Sequence, residues 1–358
     1  MNLERSDSAL AGSAGIALPH AVSVGEKVAF LSRPETYPHR VDGVTVRETH
    51  MSFLFLAGPR VYKLKKPVQF SYLDFSTLAR REAACRAEIT LNRRLAGDVY
   101  IDAIPLTAVG QGLALAGSGT VVDWLVVMRR LDERYMLDHA IAAEEVDERA
   151  LDRLVTLLAR FYRRAARVHM TGEAHLADWR RSLVENRRGL LDPRAQTPAG
   201  LVRFIDGVQA RFLDRFGALL AARAVGGHIV DAHGDLRPEH IWLGNEPRII
   251  DCLEFNARLR ANDAFDEIAF LTLECERLGG GWVGRYLRRR LTRALPNPPP
   301  DALFTFYRCH RATLRARLAV AHLFERTIRT PEKWPGQARA YLRLALADAT
   351  RLGVLLKG

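Results

Sequence analysis

Two hydrophobic periods divide the chain. Residues 43 to 135 alternate apolar and polar positions at the spacing of strands. VTVRETHMSFLFL and RVYKLKK flank the turn AGPR and predict a hairpin. A helix is predicted over LARREAACRAEITLNRRL, where Ala84, Glu88, Leu91 and Leu95 recur at helical spacing and form one stripe. YIDAIPLTAV and GLALAGSGTVVDWLVVMRRL return to strand-like runs. From about residue 136 helical periods take over, as in DERALDRLVTLLARFYRRAARVHM. Only the segment from IVDAHGDL to IIDCLEF interrupts them. The pattern implies an α+β protein, a smaller strand-rich part before a larger helical one.

That interruption carries the candidate chemistry. Asp235 lies in HGDLRPEHIWL and Asp251 in IIDCLEF, 16 residues later. Between them IWLGNEPRII reads as strand, turn, strand, with Gly244, Asn245 and Pro247 as turn residues. A hairpin of this length brings both carboxylates to one small volume. A loop Asp can accept the proton of a hydroxyl nucleophile. A strand-end Asp suits a hard cation such as Mg²⁺. Either alone would read as a turn-capping carboxylate; the pair points to phosphoryl transfer, which needs both roles and a cation on the phosphates.

The cation candidates are in RVYKLKKPV. Lys63 and Lys65 share one strand face with Val61, while Tyr62 and Leu64 share the other. Lys63 has apolar neighbours on both sides and is expected to be the buried one; Lys66, before Pro67, is expected in solvent. A buried ammonium needs an anion, and Glu88 is the carboxylate within the helical stripe. Glu82 falls on a charged face with Arg86 and Arg93.

Composition narrows the classes. The chain has 358 residues, about half of them apolar, which fits a folded protein of two lobes. No apolar run is long enough for a membrane span. Residues 1–25 read as a mobile leader, with an early Glu and Asp that argue against a signal peptide. Cys85, Cys252, Cys275 and Cys309 form no C-x-x-C pair and predict reduced, buried thiols in a cytoplasmic protein. The net charge of +12 sits on helices such as RRSLVENRR and RYLRRRLTR. Solvated helix faces are the bland reading of those arginines. A basic surface that attracts phosphates or acidic metabolites is the sharper one.

RVYKLKKPV with Glu88, HGDLRPEH, and IIDCLEFN followed by NDAFDEIAF together resemble the aminoglycoside phosphotransferase and choline kinase branch of the protein-kinase-like fold, from about residue 45 to 275. The resemblance implies a strand-rich N-lobe over 26–130 and a helical C-lobe over 131–358. It makes Asp235 the catalytic base and Asp251 the Mg²⁺ ligand, with Lys63 holding the α- and β-phosphates of ATP or GTP and pairing with Glu88. Val127, Met128 and Arg129 in VVMRRL match the hinge whose backbone meets the adenine. Asp266 matches a carboxylate that braces the catalytic loop. Two features depart from the family. His240 stands where Asn is usual, as a second metal ligand or loop clamp, and no G-x-G-x-x-G precedes the lysine strand, leaving Thr49 or Ser52 in ETHMSFLFLAG to cover the phosphates.

The implied activity is transfer of the γ-phosphoryl group to a hydroxyl of a small molecule such as an amino sugar, aminoglycoside, sugar or amino alcohol. A cationic acceptor would need acidic walls, for which composition offers Glu144, Glu145 and Asp147. The alternatives are a nucleotide-binding pseudokinase, suggested by His240 and the missing glycine loop, and a basic nucleic-acid-binding protein, suggested by charge alone.

Overall fold

The computed structural model describes residues 22–70, 72–110, 112–324 and 330–357. Most of the expected leader, residues 1–21, lies outside the described residues. The first element, α1 (Val24–Leu31), is closed by a capping box in which Ser23 and Glu26 exchange hydrogen bonds.

The N-terminal part is a six-stranded antiparallel sheet in the order β1-β2-β3-β8-β6-β7. Its strands are β1 (Val44–Glu48), β2 (Ser52–Ala57), β3 (Arg60–Lys65), β6 (Tyr100–Val109), β7 (Gly112–Leu115) and β8 (Thr120–Arg129). A small hairpin, β4 (Gln69–Phe70) with β5 (Leu73–Asp74), precedes α2 (Leu78–Ala96). The run VTVRETHMSFLFL is two strands, because the Thr49 hydroxyl and N–H both bond the Ser52 carbonyl (3.0 and 2.8 Å) and turn the chain.

Alternation in the strands separates two apolar layers. Tyr62, Leu64, Leu125 and Val127 pack with Leu31 on the α1 side, while Val126 joins Cys85, Ile89 and Tyr100 under α2. The buried face of α2 runs through Arg81, Ala84, Cys85, Glu88, Asn92 and Leu95. It therefore includes Asn92, and Leu91, placed in the stripe by its apolarity, is only half-buried.

The C-terminal part is helical: α3 (Leu137–Ala142), α4 (Glu148–Arg164), α5 (Gly172–Leu190), α6 (Ala199–Val225), α7 (Ala257–Arg260), α8 (Ala264–Arg277), α9 (Gly281–Ala294), α10 (Asp301–Ala321) and α11 (Lys333–Leu355). One contiguous core, centred on residues such as Leu158, Phe212, Ile268, Phe306 and Tyr341, joins them. Two short strand pairs are set into this part. β10 (Ile241–Trp242) pairs with β11 (Arg248–Ile249), and β9 (Ile229–Asp231) pairs with β12 (Ala261–Asp263). The second partner was not visible as a strand, since AND is short and polar. All four cysteines are free and buried, and no helix among the described residues is long and apolar enough to cross a membrane.

Candidate active site

Because Tyr62 and Leu64 face the α1-side core, β3 turns Lys63 and Lys65 to its other face, towards α2. Lys63 Nζ lies 2.8 Å from Glu88 Oε1 and 2.9 Å from Asp251 Oδ1. Lys65 Nζ lies 2.5 Å from Glu88 Oε2, also pairs with Glu254, and sits 4.9 Å from the centre of the Phe75 ring. Lys65, not Lys63, is the more deeply buried, with side chains 1% and 14% exposed. The cover comes from Glu254 and Phe75, which are remote in sequence. Lys66 is not in open solvent either, since it pairs with Glu48 at 2.5 Å and lies over Phe53.

Burial by itself would depress both ammonium groups. Carboxylates outweigh it, Asp251 then Glu88 for Lys63 and Glu254 then Glu88 for Lys65, so both remain charged. The same contest lowers Glu88, where Lys63 and Lys65 overcome burial. For Glu254 burial and then Glu88 prevail over Lys65, and its pKa is raised.

The His-Gly-Asp turn follows β9. Gly234 has φ +90, and a Cβ there would lie 3.0 Å from Leu253 Cδ1, so the turn needs glycine on both counts. His233 Nε2 bonds the Ile250 carbonyl at 2.9 Å and its Nδ1 faces the Asp235 N–H at 3.3 Å. Burial pushes the His233 pKa down to about 4, so the ring is neutral. Glu267 on α8 clamps the turn by accepting the His233 N–H (3.1 Å), the Gly234 N–H and the Tyr162 hydroxyl (3.0 Å). Asp266, expected in that role, instead forms a two-pronged ion pair with Arg311 (2.9 and 2.6 Å). Adjacent residues on a helix point about 100° apart, and helix packing selects which of the two meets the loop.

His240 lies between the two carboxylates, 3.8 Å from Asp235 Oδ2 and 3.6 Å from Asp251 Oδ2. The hairpin has thus brought its ends together. Nδ1 of His240 is 2.9 Å from the Asp235 carbonyl oxygen, which can only accept, and Arg237 Nη2, which can only donate, is 3.1 Å from Nε2. The partners fix the tautomer with the proton on Nδ1. The Nε2 lone pair is therefore spent on a guanidinium, and His240 acts as a loop clamp, with no lone pair left for a metal. Arg237 Nε also donates to Asp235 Oδ2 at 3.0 Å. Burial would raise the Asp235 pKa, but Arg237 first, and also Arg315, hold it below the usual carboxylate value.

Asp251 is placed by two elements of the N-terminal part. Its N–H donates to the Tyr100 hydroxyl at 3.0 Å, and the Cys252 N–H donates to Asn92 Oδ1 at 2.8 Å. Its backbone is left-handed, with φ 62. Burial would raise its pKa, yet the Lys63 ammonium holds it well below the carboxylate range. The buried cluster joins two lysines to three carboxylates, Glu88, Glu254 and Asp251, and Asp251 is the outermost at 49% side-chain exposure. One surplus carboxylate facing the cleft is a fitting donor for Mg²⁺ that keeps water and phosphate oxygens as its other ligands. No group of three or more His, Cys, Asp or Glu side chains that could hold a metal by itself occurs among the described residues.

The remaining nucleotide-contact positions are engaged. Ser52 is 2% exposed; its N–H donates to the Thr49 hydroxyl at 3.0 Å and its carbonyl closes the turn. Val127 stands opposite Tyr62 and Asp102, Met128 opposite Val61 and Tyr100, and the Arg129 N–H donates to the Val99 carbonyl at 2.8 Å. A central antiparallel strand spends most of its backbone groups on its two neighbours. The chain leaves the sheet at Arg130, whose N–H reaches the Pro59 carbonyl at 2.8 Å. Of the acidic candidates, Asp147 caps α4 through the Arg149 and Ala150 N–H groups, and Glu144 and Glu145 are exposed in the turn before it.

A choline kinase from Cryptosporidium parvum superposes with a TM-score of 0.51, at 10% identity, over 92% of this chain and 96% of that one. The chain has the choline kinase fold. Looser superpositions, each with a TM-score of 0.49, are found with a choline/ethanolamine kinase family protein from Mesorhizobium loti (14% identity, 91% and 99% covered) and with a spectinomycin phosphotransferase (10% identity, 92% and 99% covered). No family model matches the chain. In sequence it is 35% identical over 281 residues to uncharacterized proteins of Mycobacterium tuberculosis and Mycobacterium bovis, covering 77% of this chain and 54% of theirs. The chain thus spans about half the length of the curated relatives it matches. Within the choline kinase fold, Glu254, Glu267, Arg237 and Tyr100 complete the cleft. Glu254 and Glu267 had a signal, each being the second acidic residue, after Asp251 and Asp266, within the apolar runs IIDCLEF and AFDEIAF. Tyr100 and Arg237 had none.

Proposed function

We propose that the protein transfers the γ-phosphoryl group of ATP or GTP to a hydroxyl of a small molecule. The observation that carries this reading is the convergence of Asp235 and Asp251 on His240, with Asp251 tied through Lys63 to Glu88. Asp235 would orient the acceptor hydroxyl and take its proton. Lys63, the more exposed lysine, would exchange Asp251 for phosphate oxygens, while Lys65 holds Glu88 in place. Held by Asp251, Mg²⁺ would offset charge on the nucleotide phosphates. The choline kinase that shares this fold supports a small acceptor, with amino alcohols, sugars, amino sugars and aminoglycosides as the classes to screen. The test is a panel of such acceptors scored for Mg²⁺-dependent ADP release, run beside Asp235→Asn. The variant keeps the size of the side chain but removes its charge. Turnover should fall by at least about 10²-fold, with Mg²⁺-nucleotide affinity unchanged within a few-fold.

A second reading is favoured by Arg237 and His240. Arg237 donates to Asp235, and the position at which the family would offer a second metal ligand spends its lone pair on the same guanidinium. Both features suit a protein that binds nucleotide without transferring phosphate. In that case no acceptor releases ADP from the wild type, and Asp235→Asn binds nucleotide as the wild type does.

A further inference from the structure

The C-terminal ends of α4 and α9 meet at a concavity of about 600 Å³ lined by Arg160, Arg163, Arg164, Arg290 and Arg293, with Val155, Thr156, Ala159 and Ala294 as its floor. No carboxylate and no aromatic ring is among these residues. Arg290 pairs with Asp152 at 2.9 Å, and Arg163 donates to the Ala294 carbonyl. Arg160, Arg164 and Arg293 form no ion pair among the described residues. This contrasts with the cleft-side arginines, such as Arg237, Arg277 and Arg311, each of which meets a carboxylate.

Arginine in the last turn of a helix is favourable in itself, since each helix C-terminus carries about half a negative charge. That effect does not account for five guanidinium groups. After Asp152 and two helix ends are counted, about three positive charges remain unmatched. Arg160, Arg163 and Arg164 also stand at i, i+3 and i+4 on one helix, the spacing at which like charges repel. The arrangement costs stability unless an anion sits among them.

We propose that this groove binds a small ligand bearing two or more phosphate groups, at a site separate from the phosphoryl-transfer cleft. The concavity has the volume of a small-molecule site. Guanidinium groups from two helices converge on it with the fork geometry that phosphate oxygens accept. Without a ring to stack a base, recognition rests on phosphate and not on nucleobase.

The full chain is titrated at low salt in EDTA with inorganic tripolyphosphate, with a sugar bisphosphate, and with a single-stranded RNA oligonucleotide. The two small probes distinguish an inorganic from a sugar-linked source. The expected result is saturable binding of at least one small probe, steeply weakened by salt, and weakened about tenfold or more in Arg160→Gln/Arg293→Gln. That double variant should melt no lower than wild type without ligand, because it relieves repulsion. Should it fail to fold, Arg163→Gln/Arg164→Gln makes the same test. Failure of both small probes to bind sinks the proposal. So does equal binding by wild type and variant, which would put the phosphates in the lysine cleft. RNA binding tighter than either small probe and lost in the same variant would also overturn it, since the groove would then track a nucleic-acid backbone.

Discussion

Lys65 sits 1% exposed between Glu88 and Glu254, while Lys63, two residues earlier, keeps 14% exposure and reaches Asp251 at the cleft. Removing the first deprives Glu254 of its ammonium and leaves Glu88 with Lys63 alone, and breaking a buried pair in this way costs about 3–5 kcal/mol. Lys65→Ala should therefore lower the urea midpoint sharply. Lys63→Ala should fold with a smaller loss and fail chiefly in binding Mg²⁺-nucleotide, as read by thermal shift. Equal stability of the two variants would contradict this division of roles. Asp251→Ala should leave the apo protein folded and remove the Mg²⁺-dependent part of the nucleotide thermal shift; an unchanged shift would remove Asp251 as the metal ligand.

At the scale of elements, the His-Gly-Asp loop owes its shape to α8 as much as to its own sequence. Glu267 takes two consecutive N–H groups of the His-Gly-Asp turn and the Tyr162 hydroxyl, whereas Asp266 ties α8 to α10 through Arg311. Glu267→Ala leaves those buried donors unsatisfied, at about 1–3 kcal/mol for each. It should lower kcat for phosphoryl transfer together with stability. Asp266→Asn should lower stability with a smaller effect on kcat. A Glu267→Ala enzyme with wild-type kcat would show that the turn holds itself.

For the whole molecule, pH acts on the buried cluster in two directions. Asp251, Asp235 and Glu88 have lowered pKa values, so their contribution is present above the ordinary carboxylate range and is lost as pH falls through their depressed values. Glu254 and Glu267 have raised values. Their contribution is fully present below about pH 4.3 and is lost as pH rises through the raised values. Stability should therefore peak on the mildly acidic side and fall steeply below about pH 4. Glu254→Gln should flatten the decline between the peak and neutrality in urea titrations; an unaltered profile would contradict the assignment. Mg²⁺-nucleotide binding should offset part of the same decline, since a cation at Asp251 answers the surplus carboxylate.

The sequence by itself determined the sheet-then-helix order, the lysine strand, the pairing of Lys63 with Glu88, and the meeting of the hairpin ends. These depend on periodicity and short connections, which local residues control. Only the tertiary structure decided which lysine is deepest, that Glu267 and not Asp266 grips the turn, that Ser52 and the backbone of Val127 to Arg129 are already engaged, and that His240 is held by Arg237. Each of these depends on a partner from another element: Phe75 and Glu254 over Lys65, β6 beside β8, α8 behind the loop. The arginines of RYLRRRLTR were visible as charge. Their convergence across two helices was not, because the angle at which helices pack is set by the apolar faces beneath and not by the charged residues above them.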